Sequence, residues 1–544
     1  MTMAVFFLMA TAPFVAAQPQ PDAGQILQES QKPLPLPPAP TKIDIQSSPD
    51  TEEAAAGGPQ VLINSVRFTG ATSVDELTLL AVLGDYGAEP KDFAGIQGLA
   101  DKITTFYRKQ GYPVALAYLP PQNIQAGELV IDIVEGRYGD VRVTGDEELI
   151  HGAQNFVKSL EPGDVIRAKP LTRAVHILAD QPGILIEPVL MPGQEIGRGD
   201  LEITVDKGPK FEGEVGLDNH GNRFSGDWRA NAQLNINRLL TFGDRLDIGA
   251  MYTDENLWYG RVGYSLPVGY SGLRAMASYA HTRYDLGGPF SALDATGTAD
   301  IVSLGLSYPL LRSMSTNVRL QGAYQYKELE DEDNTPTPDS DKSSNSLPLS
   351  LQFDHRDYLA GGGITWGMLT WTPGNLSLNG DTKEIDRLTA RTDGGFQKIN
   401  LEVSRIQRLP AAFSLFGRFS AQWADTNLDS SEGFSLGGAN AVRAYPQSEA
   451  FGDTGWITQV ELRYQWRSLT PYGFYDSGSI RYNTNPWDAG DNSRSISGGG
   501  AGLRCDMMNW SLDAAIAWRA WGGEPRSDTR GDQPRFWVSA NYRF

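Results

Sequence analysis

The residue types that most often carry catalysis or bind metals are few in this chain and do not cluster. The 544 residues include five histidines and one cysteine: His151, His176, His220, His281, His355 and Cys505. Metal sites need ligands at short, repeated spacings, which these histidines lack, and a lone cysteine cannot form an internal disulfide. We therefore expect no metal site, and we interpret Cys505 as structural because it falls at a lipid-type position of a predicted strand.

Nucleophilic and nucleotide chemistry also lack a signature. No Ser/His/Asp constellation is identifiable among the scattered residues of these types, and no Gly-x-x-x-x-Gly-Lys-Ser/Thr phosphate loop is present. The formal net charge of -20 argues against a nucleic-acid partner, which would need a basic face. The sequence therefore predicts no catalytic residue, no cofactor and no enzymatic activity.

Strands dominate the chain from about Lys210 to the last residue. In the final one, Phe536, Val538, Ala540, Tyr542 and Phe544 share one face, whereas Trp537, Ser539, Asn541 and Arg543 share the other. Alternation with lipid-type residues on one face is typical of an outer-membrane β-barrel. A soluble β-sandwich also alternates, but its turns would be uniformly short.

The connections between these strands alternate in length, as outer-membrane barrels require. Short connections occur near residues 239–243, 266–272, 311–315, 408–411 and 467–470. Long, polar connections are predicted at residues 327–343 and 425–455. We count about sixteen strands and predict a transmembrane antiparallel β-barrel over residues 209–544.

Residues 1–17 have the features of a secretory signal peptide. The apolar run 4–16 leads to the small residues Val15, Ala16 and Ala17, which predicts cleavage before Gln18, although the usual positive charge at the start is missing. No later stretch of about 18 apolar residues exists, so any membrane crossing must use strands.

A linker and two repeats precede the predicted barrel. Residues 18–60 contain a proline-rich linker and a predicted short helix at about 22–30, with Ile26 and Leu27 on one side. Residues 61–136 and 137–208 share the order strand, helix, helix, strand, strand. Each repeat is a small α+β unit whose free sheet edge could accept an extended polypeptide; a spacer role is the alternative.

Two short motifs lie within the barrel region. The loop motif is Val442, Arg443, Ala444 and Tyr445, and the strand motif is Phe474, Asp476 and Gly478. Together with the two repeats, they resemble the two-partner secretion transporters, the TpsB or haemolysin secretion/activation family. The loop resembles that family's long sixth loop with its Val-Arg-Gly-Tyr tip, and the strand resembles its Phe-x-Asp-x-Gly motif. Residues 237–246 also look like the family's turn between the second and third strands.

The resemblance covers nearly the whole chain and implies two polypeptide-transport-associated (POTRA) domains before a sixteen-stranded barrel. It implies that the loop after strand eleven folds into the lumen, where Arg443 would form an ion pair with Asp476 of strand thirteen. Ala444 departs from the family's glycine. If this position needs a positive φ, alanine costs about 1 kcal/mol.

The function implied by the resemblance is passage of a large, unfolded haemagglutinin- or haemolysin-like exoprotein through the Gram-negative outer membrane without nucleotide hydrolysis. The POTRA domains would lie in the periplasm and bind the exoprotein. Further implied partners are outer-membrane lipid and the barrel-assembly machinery, with Tyr542 and Phe544 as the carboxy-terminal assembly signal. The alternatives are a barrel-assembly or membrane-insertion protein of the same superfamily and an outer-membrane enzyme. The cargo's identity stays open.

Overall fold

A computed structural model describes residues 20–29, 33–46, 57–124, 126–195, 197–334, 340–528 and 531–544. The predicted signal peptide lies outside these ranges. No helix within them is long and apolar enough to cross a membrane.

The amino-terminal part contains a short helix and two small α+β domains. Its elements are α1 (Ala23–Glu29), β1 (Asp44–Ile45), β2 (Ser65–Thr69), α2 (Glu76–Leu83), α3 (Phe93–Lys109), β3 (Leu116–Tyr118), β4 (Glu128–Val134), β5 (Arg137–Gly145), α4 (Glu147–Val157), α5 (Ala168–Ala179), β6 (Ile184–Pro192) and β7 (Arg198–Lys207). The first sheet has the order β2-β4-β3 and the second the order β1-β6-β7-β5. The linker strand β1 thus adds to the sheet of the second POTRA domain.

The sequence pattern explains the helices of both POTRA domains. Asp92 begins α3 by accepting a hydrogen bond from the backbone N–H of Gly95. The apolar residues that recur at helical spacing are buried against the sheets: Ile96, Leu99, Ile103 and Tyr107 in α3, and Leu171, Ala174, Val175 and Leu178 in α5. The prediction of two α+β domains is confirmed.

The rest of the chain forms a closed antiparallel barrel. Its strands are β8 (Phe211–Asp218), β9 (Arg229–Asn237), β10 (Arg245–Thr253), β11 (Trp258–Pro267), β12 (Arg274–Asp285), β13 (Thr296–Arg312), β14 (Thr316–Glu332), β15 (Ser340–Ser346), β16 (Leu349–Asp357), β17 (Gly363–Leu378), β18 (Gly394–Arg408), β19 (Phe413–Ala424), β22 (Thr454–Tyr464), β23 (Leu469–Arg481), β24 (Ser493–Met507), β25 (Trp510–Trp521) and β26 (Arg535–Arg543), while β20 (Phe434–Leu436) and β21 (Ala450–Gly452) form a hairpin in the β19–β22 loop. The remaining helices are α6 (Gly380–Leu388) and the 3-10 turns Gly288–Leu293, Leu359–Gly361 and Ser430–Glu432. Because β15 and β16 follow each other end to end between β14 and β17, the barrel has sixteen strands, as predicted.

The barrel closes where β26 pairs with β8, from Ser539 opposite Asp218 to Arg543 opposite Glu214. The alternation along β26 is as predicted, because Phe536 and Val538 are exposed on the outer face whereas Trp537 is buried on the inner one. An apolar outer face suits lipid and a polar lumen suits water.

The prediction of a loop at residues 327–343 is wrong in part. β14 continues to Glu332 and β15 begins at Ser340, with Asp331 paired to Ser340. Polar composition suggested a loop, but a strand pair that rises above the bilayer can be polar on both faces while its backbone ladder continues. The extension carries Lys327 and Lys342, whose side chains are buried in the lumen.

Candidate functional site

The β19–β22 loop folds into the lumen and its tip is buried. Val442, Arg443, Ala444 and Tyr445 are all buried, together with Leu436 of β20. The position of the loop depends on the contacts that its tip makes with the inner wall.

Arg443 is held by two acidic side chains of neighbouring strands. Its Nε and Nη2 atoms each lie 2.7 Å from the Asp476 carboxylate, and its backbone N–H donates to the same group at 3.1 Å. Nη1 lies 2.7 Å from Oε1 of Glu461. This fork-to-carboxylate geometry orients the guanidinium as well as binding it. The Arg443 guanidinium also lies 3.6 Å from the centre of the Phe474 ring, a cation–π contact.

All three residues of the strand motif face this site from β23. Phe474 and Asp476 are both buried on the inner face. Gly478 follows on the same face, where an added Cβ would lie 2.5 Å from Cδ1 of Leu436. The motif therefore supplies a ring, a carboxylate and the space for the loop to approach the wall.

Sequence reasoning missed Glu461 as a partner of Arg443. Glu461 lies directly opposite Phe474 in the β22–β23 ladder. Its carboxylate also accepts from Arg463 at 2.7 Å and from Arg504 at 3.0 Å, so it is shared by three arginines. The signal available in the sequence was a charged residue on the inward face of a strand next to the motif strand.

The last strand and the last extracellular connection hold the other side of the tip. The indole N–H of Trp537 donates to the backbone oxygen of Arg443 at 2.7 Å. The hydroxyl of Tyr445 donates to the backbone oxygens of Trp521 and Gly523, at 2.9 and 3.0 Å. The tip is thus tied to β22, β23 and β26 together.

Ala444 occupies the position of the family's glycine, and its backbone does not adopt a positive φ. The expected backbone penalty therefore does not apply. Ala444 packs against Gly498 of β24, where an added Cβ would lie 2.2 Å from that of Ala444. The methyl group missing at Gly498 leaves the space that the methyl group of Ala444 fills.

Helix α1 fills a second part of the lumen and packs against the turn Ser430–Glu432. Lys342 of β15 lies between Asp22 and Asp429, with its Nζ 3.2 and 2.8 Å from their carboxylates. Ser430 donates its hydroxyl hydrogen to Asp22 at 2.5 Å. The amino-terminal helix and the lumen loop therefore share one buried lysine.

The same turn is fixed to the barrel wall. Both carboxylate oxygens of Glu432 are used: Oε1 lies 2.5 Å from Nζ of Lys327, and Oε2 lies 2.7 Å from Nζ of Lys398. Buried ion pairs hold their side chains firmly in place, because separating the two partners would leave an uncompensated charge in the interior.

The predicted carboxy-terminal signal residues lie away from this site. Tyr542 packs against Trp510 with tilted rings at a centroid distance of 5.1 Å. The main chain of Phe544 exchanges two 3.0 Å hydrogen bonds with Gly213 of β8. Their role as an assembly signal stays a prediction.

A barrel with an occupied lumen and two preceding POTRA domains defines a class of outer-membrane polypeptide transporters. Residues 197–505 match the family model "Haemolysin secretion/activation protein ShlB/FhaC/HecB", and residues 61–136 match "POTRA domain, ShlB-type". The chain therefore belongs to the haemolysin secretion/activation family, and it is an outer-membrane two-partner secretion transporter with periplasmic POTRA domains.

Curated relatives and a solved structure match this chain over most of its length. The chain is 27% identical over 481 residues to the heme/hemopexin transporter protein HuxB of Haemophilus influenzae, covering 85% of this chain and 83% of that protein. It is 23% identical to the outer membrane transporter CdiB of Dickeya dadantii, covering 87% and 86%. The structure of CdiB from Escherichia coli matches with a TM-score of 0.71 at 20% identity, covering 91% of this chain and 93% of that one, which concerns the fold alone.

Proposed function

We propose that the exoprotein enters as an unfolded chain whose amino-terminal segment adds as a strand to a POTRA sheet. It then passes through the lumen once α1 and the Arg443 loop have moved. The observation that carries this proposal is the double occupation of the lumen by α1 and the loop tip, both held by contacts to the wall. A haemagglutinin- or haemolysin-like protein is the class of cargo that we propose.

The four outer sheet edges of the POTRA domains differ in how far they are covered. The edge of β6 pairs with β1. On the edge of β5, the side chain of Gln154 accepts from the N–H of Val143 and donates to the carbonyl oxygen of Val141. On the edge of β3, the hydroxyl of Thr104 accepts from the N–H of Ala117 at 2.8 Å. Within the described part of the first POTRA domain, no strand pairs with the outer edge of β2. We therefore propose β2 as the receiving edge, because an edge strand offers unpaired backbone groups.

Cysteine cross-linking can test this assignment, since the two repeats supply a matched control. Arg67 of β2 and Arg142 of β5 occupy equivalent, exposed positions in the repeated motif. In a Cys505→Ser background, a cysteine at Arg67 should cross-link the amino-terminal segment of a candidate partner exoprotein co-expressed in a Gram-negative host. A cysteine at Arg142 should not. Equal cross-linking at both positions would contradict the choice of β2.

Secretion itself tests the wider proposal. Deletion of residues 61–136 should abolish extracellular exoprotein while barrel levels in the outer membrane stay normal. Exoprotein secreted equally well without these residues would contradict strand addition to the first POTRA domain. Failure of the intact protein to secrete, together with defects in other barrels, would favour the membrane-insertion alternative.

We also propose the division of the chain into a signal peptide at 1–17, the α1 and linker segment at 18–60, POTRA domains at 61–136 and 137–208, and a barrel at 209–544. The match of residues 61–136 to a POTRA model supports the first of the two POTRA ranges. Recognition of Tyr542 and Phe544 by the barrel-assembly machinery, and a boundary of lipid around the barrel, belong to the same proposal.

A further inference from the structure

The linker between α1 and the first POTRA domain follows one side of the lumen before it reaches the second POTRA domain. Its described residues are 33–46 and 57–60, and the first of these ranges makes the contacts given below. Five features of the protein bind it. At Leu34, Glu402 accepts from the N–H at 3.1 Å and Trp366 donates to the carbonyl oxygen at 3.3 Å. Arg356 donates to the carbonyl oxygens of Pro37 and Pro38, at 3.1 and 2.6 Å. Further along, His176 bonds the carbonyl oxygen of Thr41 at 2.9 Å, and the edge of β6 pairs with Asp44 and Ile45. We call this set the main-chain track.

These contacts share one property. Within residues 33–46, every hydrogen bond described between the linker and the barrel or the second POTRA domain uses a main-chain atom of the linker. Recognition of this kind does not depend on side-chain identity. It depends on an extended conformation in which successive carbonyl and N–H groups are available.

The chemistry of the linker fits this interpretation. Prolines have no backbone N–H, so a proline-rich segment presents mainly carbonyl oxygens, and it is already extended. Trp366 and Arg356 offer donors to these oxygens. The neutral form of His176 also donates, and burial keeps it in that form by lowering its pKa. The donors thus match what an extended chain offers.

The opposite side of the barrel carries charged groups that bind one another. There Asp218 of β8 accepts from Arg229 at 2.7 Å and from Asn231 at 2.8 Å, both on β9. Charged groups that bind one another across neighbouring strands are satisfied by the wall. The side formed by β16, β17 and β18 has such pairs too, Arg356 with Asp354 at 3.0 Å and Glu402 with Arg418 at 3.2 Å, but Arg356 and Glu402 also bond the linker backbone.

We infer that the main-chain track is a binding site for an extended polypeptide, occupied by the linker at rest and by the exoprotein during transport. This inference rests on the proposed function and adds the path and the mode of recognition. A site that binds only backbone atoms suits a long cargo, because an extended chain presents the same carbonyl and N–H groups along its whole length as it advances. It also keeps backbone groups bonded as the chain leaves bulk water.

Photo-cross-linking at two lumen positions tests this inference. Met368 lines the lumen on β17, beside the track, and Gln233 lines it on β9, on the opposite side. A photoreactive phenylalanine analogue replaces one or the other in the full chain. The probe is a secreted partner exoprotein fused to a stably folded carboxy-terminal domain that arrests it in transit.

Without the exoprotein, position 368 should cross-link to linker residues 33–41. With the arrested exoprotein, this product should fall and an exoprotein cross-link should replace it, with little product at position 233. Arrested exoprotein that cross-links at 233 and not at 368 would overturn the track while leaving the transporter function intact. Absence of secretion by the intact chain, with a normal barrel, would overturn both.

A second variant keeps the test independent of the photoreactive group. Trp366→Phe removes the indole donor and keeps an aromatic ring, and Arg356→Gln removes the guanidinium. Each should lower the linker cross-link, because each lost hydrogen bond lowers the ratio of docked to undocked linker by about fivefold. An unchanged cross-link in the double variant would show that these side chains do not hold the linker, and would overturn the inference.

Discussion

At the scale of single residues, the packing of the loop tip depends on a methyl group that is present at Ala444 and absent at Gly498. Ala444 fits because Gly498 provides the space, and both residues face the same buried cluster. Packing of this density tolerates no extra methyl group without movement. The energetics of the tip can therefore be examined with the smallest possible substitutions.

We expect Gly498→Ala to destabilise the barrel by about 1–3 kcal/mol through overpacking. Ala444→Gly should restore part of this loss, and only part, because the new Cβ also lies 2.7 Å from the backbone oxygen of Trp518. Urea unfolding in detergent micelles measures the cycle. Gly417→Ala is the control, since no atom lies within 4 Å of its added Cβ. Additive effects of the two substitutions would contradict the contact.

Glu135, at the end of the first POTRA domain, is a second residue with a measurable consequence. Its carboxylate accepts four hydrogen bonds of 2.5–3.0 Å from the backbone N–H and hydroxyl groups of Thr72 and Ser73. Burial opposes the charge, but these hydrogen bonds outweigh it and hold the pKa of Glu135 below its usual value of 4.5.

A depressed pKa in the folded state stabilises the domain above the unfolded-state pKa, and this stability is lost as the pH falls through the folded-state pKa. Protection of residues 61–136 against hydrogen exchange in the full chain should therefore decrease as the pH drops below about 4.5. In Glu135→Gln this dependence should flatten, with lower protection at neutral pH. A variant with the same acid dependence as the parent protein would show that other carboxylates control it.

At the scale of elements, α1 is positioned by a glycine. An added Cβ at Gly24 would lie 2.3 Å from the hydroxyl oxygen of Ser430 and 2.4 Å from the backbone nitrogen of Ser431. Gly24→Ala raises the intrinsic helix propensity by about 1 kcal/mol, so any loss of docking must come from the clash. We expect this variant to increase ion conductance in planar bilayers. Gln25→Ala, which raises the helix propensity in the same direction by a smaller amount, is the control and should conduct as the parent does.

The elements also show how far sequence reasoning reaches. Strands, POTRA helices and the motif of Asp476 follow from local patterns, because each depends on residues close together in the chain. Glu461 and Trp537 could be assigned to the inner face, but not to Arg443, because that contact depends on the register between strands and on the loop's path. The strand β1 has two residues and lies in a linker without periodicity, so nothing local predicts its pairing with β6.

At the scale of the whole molecule, the second POTRA domain is fixed to the short turns of the barrel. Arg312 binds Asp180 with two hydrogen bonds, of 2.7 and 2.8 Å. Arg173 donates to the backbone oxygen of Pro309 at 2.9 Å. Phe156 packs against Phe242 at a centroid distance of 5.5 Å. The linker passes the same junction at His176, so the orientation of the domain and the position of the linker are connected.

We expect this junction to behave as a weak interface of polar and aromatic contacts that opens when the linker is displaced. The partly exposed ion pair of Arg312 contributes about 1 kcal/mol or less, and the hydrogen bonds of Arg173 contribute about 1 kcal/mol. Arg173→Ala with Arg312→Ala should therefore lower the ratio of docked to undocked domains by about tenfold. Spin labels at the exposed positions Lys158 and Tyr358, in a Cys505→Ser background, should then show a broader distance distribution.

Arg142→Ala provides the comparison, because Arg142 pairs with Glu202 on the surface of the same domain and does not contact the barrel. Its distance distribution should stay that of the parent protein. If the double variant also kept the narrow distribution, the aromatic contact would be sufficient to hold the domain, and linker displacement would have to occur with the second POTRA domain still docked.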